Sequence, residues 1–353
     1  MTCPADSACI PLTTYLLDEL RSRCEIPARP DRCGGYRRTA NGSAITRESL
    51  GIWVGAHREL LIDDARTNPF GLGYVQRAVV PLLARIAGEV QACAVLDIGA
   101  ASYGQMDAYD SSDALLFFFR LLGPDCDVHA FDLNTTALHR LQAIAANYDA
   151  DAAARSFHTH AIAVSDVTGA LRDIRAVPGL EAAANVWTII DDPLVSSVVG
   201  EVPTTTLDAF TAAAGLASVL WAKVDVQGAE PHVLRGMRSL LVSQQIAAFA
   251  FEYTHHWQAP ATLELIQQEL SQYNYACYLV AADLQRGQSE LVPISGSFWM
   301  EEFDICCSEP GQVAAARCVV NVVAVPGHSK WEAALLATAS TLSRDGPPCA
   351  GVV

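Results

Sequence analysis

Short apolar runs alternate with longer amphipathic stretches from about residue 92 onward. Seven runs have the length and composition of buried strands, at 94–98, 128–131, 161–164, 219–226, 246–251, 275–281 and 318–325. Stretches between them carry apolar residues at helical spacing, at 112–122, 134–148, 229–242 and 260–273. This alternation predicts an α/β fold with a doubly wound, Rossmann-like, seven-stranded and mainly parallel sheet.

The first 90 residues show no strand pattern of comparable strength. Leucines between positions 12 and 20 and apolar residues between 75 and 86 recur at helical spacing, on either side of a Pro/Arg/Gly-rich stretch at 27–42. We therefore expect a helical N-terminal cap or extension at 1–90 and an α/β domain at 91–327. A C-terminal helix at 330–342 and a tail would complete 328–353.

Composition and charge limit the kinds of molecule that we expect the protein to bind. Hydrophobic residues make up 51% of the chain and charged residues 18%, which suits a large buried core. A net charge of −16 repels phosphate backbones and anionic lipid, so we expect a small or neutral substrate and no nucleic acid or membrane partner. A homo-oligomer is left open. Eleven cysteines without a C-x-x-C pair indicate reduced thiols and a cytoplasmic protein.

The first predicted strand runs into a turn of small residues, V-L-D-I-G-A-A-S-Y-G at 95–104. Asp97 could hold a cofactor's ammonium group, and the turn could bring backbone N–H groups close to a ligand. The turn residues that we assign to cofactor binding are Gly99, Ala100, Ala101 and Tyr103. The G-x-G-x-x-G pattern is absent, which disfavours a pyrophosphate ligand, and a tight turn without any ligand remains an alternative.

Acidic residues also follow the second and third predicted strands. Asp132, followed by Leu133, could accept hydrogen bonds from both ribose hydroxyls of a nucleoside. Ser165 and Asp166 follow the third strand, where an adenine amino group would lie. Open α/β sheets bind ligands at the carboxyl ends of their strands, so the joint occurrence indicates a nucleoside cofactor.

Three further segments carry the most specific pattern. They read V-P-T-T-T-L-D at 202–208, L-W-A-K-V-D-V-Q-G-A-E at 220–230 and F-E-Y at 251–253. In these segments the sequence resembles the FkbM-type branch of class I methyltransferases, over about residues 92 to 326. Gln227 stands where that family usually has Glu, and the first turn lacks the family's usual Asn-x-Gly.

The resemblance implies methyl transfer from S-adenosylmethionine, commonly to a hydroxyl of a sugar or secondary metabolite. The sulfonium already activates the methyl group, so the protein must mainly align the reactants and exclude water. Aromatic faces pack well on such acceptors. Three tryptophans could line the acceptor pocket, although core packing is the commoner role: Trp187, Trp257 and Trp299.

An alcohol acceptor needs a general base or a metal that acidifies it. Asp225 and Glu252 end the fourth and fifth predicted strands, so either could accept the proton, or both could hold a divalent cation; a metal is possible but not predicted. Lys223 shares a strand face with Asp225, where a structural ion pair is the alternative. Glu230 opens a helix, where a structural role is as plausible as a functional one.

Among the histidines, His255 follows Glu252 closely and could also act as the base, because its pKa lies near working pH. An exposed bystander is the alternative. Three others are interpreted as structural: His158, His160 and His232.

Two other functions remain open. One is a degenerate cofactor-binding module that acts through a protein partner, which Gln227 and the altered first turn allow. The other is an NAD-dependent oxidoreductase, against which the missing glycine triplet and the segment 223–230 both argue.

Overall fold

The computed structural model describes residues 36–38, 44–45, 93–100, 114, 126–176, 178–179, 187–191, 195–254, 257, 261–283, 288–296, 319–338 and 340–344. The chain forms two compact units. The first consists of residues 1–78, 253–322 and 332–353, and the second of residues 79–252 and 323–331.

The described elements alternate between strands and helices over most of the chain. The strands are β1 (Tyr36–Arg38), β2 (Ala44–Ile45), β3 (Cys93–Ile98), β4 (Cys126–Phe131), β5 (Phe157–His160), β6 (Ala163–Val164), β7 (Leu171–Ala176), β8 (Ser197–Thr205), β9 (Val219–Val224), β10 (Phe249–Thr254), β11 (Tyr275–Asp283), β12 (Gln288–Pro293), β13 (Val319–Pro326) and β14 (Ser340–Arg344). The helices are α1 (Thr135–Tyr148), α2 (Ala150–Ser156), α3 (Leu207–Ala214), α4 (Glu230–Arg235), α5 (Arg238–Val242), α6 (Leu263–Gln272) and α7 (Lys330–Thr338).

The second unit contains a sheet in the order β13-β10-β9-β3-β4-β5. Its pairs β10–β9, β9–β3, β3–β4 and β4–β5 are all parallel. The predicted mixed α/β chain with seven mainly parallel strands is confirmed: β3, β4, β9, β10, β11 and β13 match six predicted runs, and β5 supplies the seventh. The doubly wound arrangement of helices stays a prediction.

The third predicted strand was placed wrongly. The run 161–164 was chosen for its apolar residues, but the strand beside β4 is β5, which reads F-H-T-H. Alternate histidines hide an edge strand from a search for hydrophobic runs. Residues of β6 belong instead to a three-stranded sheet in the order β6-β8-β7. The antiparallel pair β7–β8 occupies much of the long connection between the third and fourth predicted strands.

The centre of the second unit explains why its strands were easy to predict. All six residues of β9 are buried, as are residues 94–98 of β3. Parallel strands covered on both faces read as continuous apolar runs. Asp97 and Lys223 are the charged exceptions in these two runs, and both lie toward the carboxyl ends.

Helix boundaries follow capping side chains. Asn134 caps α1, because its side chain accepts hydrogen bonds from the N–H groups of Thr136 and Ala137. The predicted helix at 229–242 is two helices, α4 and α5. Asp208 stabilises the start of α5. Its carboxylate accepts hydrogen bonds from the N–H groups of Ser239, at 2.9 Å, and Leu240, at 3.0 Å. The predicted C-terminal helix ends early, since α7 stops at Thr338 and β14 follows.

The first unit contains the strand order β2-β1-β14-β12-β11. Its short strands β1 and β2 fall inside the region predicted as a helical extension, whereas the helices predicted at 12–20 and 75–86 lie outside the described residues.

Cys126 is in a disulfide bond, so the expectation of uniformly reduced thiols is wrong at this position. Among the described residues, no helix combines the length and apolar character needed to cross a membrane.

Candidate active site

A cavity of about 620 Å³ opens at the carboxyl ends of β3, β4 and β9, within the second unit. Its lining combines two carboxylates with a mainly apolar wall. The residues that line it are Ile98, Gly99, Phe131, Asp132, Leu133, Ile162, Ala163, Val164, Trp187, Thr188, Ile189, Asp225, Val226, Gln227 and Ala229.

Gly99 lies where two strand ends almost touch. Its φ is +85°, and a Cβ built on it would lie 1.7 Å from the backbone oxygen of Asp225. Its N–H and that of Ala100 both donate to the carbonyl of Phe131, at 2.9 and 3.0 Å. These two N–H groups therefore hold the ends of β3 and β4 together, and the glycine is required by the protein's own backbone.

Asp132 and Leu133 line the cavity directly after β4. The Oδ1 atom of Asp132 accepts a hydrogen bond from the N–H of Asn134 at 2.7 Å, which fixes the carboxylate at the start of α1. Its N–H donates to the carbonyl of His160 at 3.2 Å. Asp132 is thus held at the cavity wall by both neighbouring segments.

Asp225 is the carboxylate that lines the cavity after β9, and two side chains hold it. Lys223 places its Nζ 3.3 Å from Oδ2, and Gln227 donates from Nε2 to Oδ1 at 3.0 Å. The predicted ion pair between Lys223 and Asp225 is therefore present. Lys223 Nζ also lies 3.8 Å from Oδ1 of Asp97, so one buried ammonium group lies between two carboxylates.

Glu252 and Glu230 bring two more carboxyl groups to Asp225. Burial, followed by the charges of Asp225 and Glu230, raises the pKa of Glu252 well above its ordinary value, and a hydrogen bond with Asp225 raises it further. Burial likewise raises the pKa of Glu230 to about 7, with a smaller contribution from Asp225. Such a cluster favours the protonated form of its more buried members.

Glu230 also shapes the turn after β9. Its Oε1 accepts from the N–H of Val226 at 2.8 Å, and its Oε2 accepts from the N–H of Gly228 at 3.0 Å. Gln227 and Gly228 both have positive φ values, 55° and 99°. The buried carboxyl group therefore stabilises a turn that an extended backbone could not make.

The three carboxyl groups offer one possible cation site. Oxygens of Asp225, Glu230 and Glu252 lie within 4.8 Å of one another. Oxygen ligands suit Mg²⁺ or Ca²⁺. From the sequence such a cation was possible but not predicted, and the positions of these oxygens leave the same choice.

Four predicted cofactor residues lie away from the cavity lining: Asp97, Ala100, Ser165 and Asp166. Asp97 is fully buried, and its Oδ2 accepts from the N–H of Ala114 at 2.9 Å. Ser165 is buried and donates to Asp166, whose Oδ2 lies 3.0 Å from Nδ1 of His232. Burial works to raise the pKa of Asp166, but the hydrogen bond and charge of His232 outweigh it and hold that pKa below its ordinary value.

The cavity also contains residues that sequence reasoning did not select. Ile162, Ala163 and Val164 provide an apolar wall where Ser165 and Asp166 had been expected. Residues 187–189 of the long connection contribute the face that Trp187 shares with Thr188 and Ile189. Of the other two tryptophans, Trp257 is buried in the first unit and Trp299 lies outside the described residues. Predicted site residues Ala101, Tyr103 and His255 also lie outside them.

The family is decided by a match over half of the chain. Residues 97–277 match the family described as "Methyltransferase FkbM domain". The chain belongs to the FkbM methyltransferase family. The cavity of this FkbM domain, with Gly99, Asp132 and Asp225 around it, lies wholly inside the matched segment.

Two solved structures are similar to this FkbM family member. One is Methyltransferase FkbM from Methylobacillus flagellatus KT, with 14% identity and a TM-score of 0.33; the match covers 64% of this chain and 57% of that one. The other is an uncharacterized protein from Burkholderia thailandensis, with 14% identity and a TM-score of 0.22, covering 80% of this chain and 73% of that one. No curated protein matches the sequence.

Proposed function

We propose that the protein transfers a methyl group from S-adenosylmethionine to a hydroxyl group of a sugar or small secondary metabolite. The observation that carries the proposal is the meeting of Asp132 and Asp225 on one cavity, at the carboxyl ends of β4 and β9, the two parallel strands on either side of β3. One carboxylate suits a ribose and the other a reacting hydroxyl. Family membership supports methyl transfer in general, and the hydroxyl acceptor rests on the chemistry of Asp225.

The cavity residues fit a nucleoside cofactor. Asp132 would accept hydrogen bonds from the ribose hydroxyls, and Leu133 with Ile162, Ala163 and Val164 would contact an adenine ring. When bound, S-adenosylmethionine supplies an already activated methyl group. Asp97 would act through Lys223, because its carboxylate is buried and does not line the cavity.

Asp225 is the carboxylate that we assign as proton acceptor. It faces the cavity, whereas Glu252 does not line it and has a raised pKa. A protonated Glu252 would donate to Asp225 and hold it, while Lys223 and Gln227 orient the same carboxylate from other directions. Asp225 would then remove the acceptor's proton as the hydroxyl oxygen attacks the methyl carbon. The wall that contains Trp187 would help to exclude water.

Binding measurements separate this proposal from the two alternatives. Isothermal titration should show binding of S-adenosylmethionine and S-adenosylhomocysteine and none of NAD. Tight binding of NAD alone would overturn the proposal in favour of an oxidoreductase. Cofactor binding without turnover on any alcohol or glycan, together with a stable protein partner, would favour a non-catalytic module.

Substitution of Asp225 tests the assigned proton acceptor. Asp225→Asn should lower the methyl-transfer rate by roughly 10²- to 10⁴-fold, the usual contribution of a general base, and keep most of the cofactor affinity. The exposed Asp151→Asn is the charge-matched control and should keep the wild-type rate. Normal turnover by Asp225→Asn would show that the proton leaves by another route.

A further inference from the structure

Three histidines and an aspartate meet on one face of the paired strands β4 and β5. His129 and His158 are register partners; Asp127 lies two residues before His129 in β4, and His160 lies two residues after His158 in β5. Alternate residues of a strand share a face, so all four side chains project the same way. The ring centre of His129 lies 4.9 Å from that of His158 and 5.3 Å from that of His160.

His129 is the central and most buried member of this histidine cluster, with 6% of its surface exposed. Its Nδ1 lies 3.1 Å from Nε2 of His160. Its Nε2 is buried and has no hydrogen-bond partner within the part of the chain that the structure describes. A buried polar atom without a hydrogen-bond partner destabilises the folded state by about 1–3 kcal/mol. A ligand bound to this nitrogen would remove that cost.

A ring nitrogen of His129 lies within 4.8 Å of ligand atoms of the other two candidate ligands, Asp127 and His158. In an imidazole, Nε2 lies on the opposite edge of the ring from Nδ1. His160 lies toward the carboxyl end of the strands and Asp127 toward the amino end, so the Nε2 edge of His129 faces Asp127. On that side, Nε2 of His158 already lies 3.7 Å from Oδ1 of Asp127.

We propose that Asp127, His129 and His158 bind one divalent transition-metal ion, with Zn²⁺ as the first candidate. One ligand atom from each lies within 4.8 Å of the others. Atoms bound to one tetrahedral Zn²⁺ at about 2.0–2.2 Å lie about 3.3 Å apart, so the cluster must contract slightly. Imidazole and carboxylate ligands together suit Zn²⁺ better than Mg²⁺, which prefers oxygen alone.

One adjustment is needed for the ion to enter. The rings of His129 and His158 are stacked with 24° between their planes, so their lone pairs run side by side. The His158 ring must turn to make them converge. It has room to do so, because its side chain is 37% exposed and that of Asp127 is 46% exposed. The same opening leaves space for water as a fourth ligand.

The remaining neighbours match the surroundings of a metal-bound histidine. Such a histidine usually donates its other ring N–H to an acceptor, which fixes its tautomer. Here Nδ1 of His129 would donate to Nε2 of His160, which leaves the lone pair of Nε2 for the metal. Phe210 lies edge-on against both rings and supplies an apolar backing. A bound ion would tie the edge strand β5 to β4.

Metal titration of the full-length, tag-free protein tests the site. After treatment with a chelator, the protein is titrated with Zn²⁺ in the presence of excess Mg²⁺, which occupies oxygen-only sites such as the carboxyl cluster around Asp225. We expect one Zn²⁺ per chain, at least about 10-fold weaker binding by His158→Gln and by Asp127→Asn, and unchanged binding by His139→Gln, an exposed histidine on α1. These partly exposed positions are chosen because substitution of the buried His129 could prevent folding.

Further readouts separate a metal ligand from a packing residue. Co²⁺ added to the wild type should give visible d–d absorption bands that His158→Gln weakens, and His160→Leu should lower Zn²⁺ affinity about 10-fold by removing the acceptor of His129. The inference is overturned if the wild type binds no Zn²⁺, or if His158→Gln and Asp127→Asn bind it as tightly as the wild type. It is also overturned if Glu252→Gln, and not His158→Gln, removes the binding.

Discussion

Gln227 donates a hydrogen bond from its Nε2 to Oδ1 of Asp225 over 3.0 Å. In the FkbM pattern this position usually carries Glu, which has no donor at neutral pH. An amide can hold the Asp225 carboxylate directly, whereas a second carboxylate would repel it. The departure from the family pattern thus has a physical role in this chain. Gln227 keeps the proposed proton acceptor oriented beside a buried cluster of carboxyl groups.

Restoring the family residue should impair the proposed reaction. Gln227→Glu removes the donor to Asp225 and adds a negative charge that raises the pKa of Glu252 further. We expect a roughly 10-fold lower rate at neutral pH and a pH–rate profile displaced to higher pH. Gln227→Ala, which removes the donor without adding charge, should lower the rate without that displacement. Identical pH profiles for the two variants would contradict this electrostatic account.

Asp132 should contribute to cofactor affinity and little to the chemical step. Asp132→Ala removes the carboxylate assigned to the ribose, and the loss of a hydrogen bond to a charged group is worth about 1.5–3 kcal/mol, roughly 10- to 100-fold in affinity. Calorimetric titration with S-adenosylhomocysteine measures this. Asp132→Asn keeps an acceptor for the N–H of Asn134 and separates a local capping defect from the ribose contact. Unchanged affinity in both variants would refute the contact.

A methyl group at Gly99 should disrupt the strand ends that form the cavity. Gly99 and Gly169 both have positive φ, 85° and 80°, but an added Cβ at Gly169 meets nothing within 4 Å. Gly169→Ala should therefore cost only the backbone strain, about 1–2 kcal/mol. Gly99→Ala adds a collision with the Asp225 backbone, which we expect to cost about 1–3 kcal/mol more and to displace Asp225. Denaturation midpoints and methyl-transfer rates measure both effects, and equal midpoints would contradict the close approach.

Burial of Glu230 should make the stability of the protein depend on pH. Its pKa is raised from 4.5 to about 7 in the folded state, so the folded state binds the proton more tightly than the unfolded state. Its contribution to stability is fully present below pH about 4.5 and is lost as the pH rises through about 7, a change of about 3 kcal/mol. Glu230→Gln should flatten the decline of the thermal midpoint over this range. The exposed Glu201→Gln should keep the wild-type slope, and an unchanged slope in Glu230→Gln would contradict the prediction.

Local sequence was enough to place most of the sheet. Strands such as β3 and β9 are buried on both faces and must be apolar throughout, so hydrophobic runs reveal them. Asn134 was recognisable as a helix cap because capping depends on residues close in sequence. The edge strand β5 was missed because it reads F-H-T-H and is not a continuous apolar run. Its face carries alternate histidines, whose role depends on His129 in another strand.

The candidate site likewise has features that the sequence predicted and features that it did not predict. Acidic residues at strand ends could be recognised from sequence, because parallel strands place their carboxyl ends together. Which of them face the cavity could not, since Asp97 is directed to Lys223 and Asp166 to His232, partners that are 126 and 66 residues away along the chain. Those pairings depend on how strands and helices pack.

Hydrophobic pattern and short motifs were therefore sufficient to establish the α/β class, the family and the segment that contains Asp225, because these depend on neighbours along the chain. Burial and long-range proximity required the folded structure. Burial raises the pKa values of Glu230 and Glu252, and Glu252 lies near Asp225 only because β10 pairs with β9. The meeting of His129 with His158 likewise arises only when β5 pairs with β4.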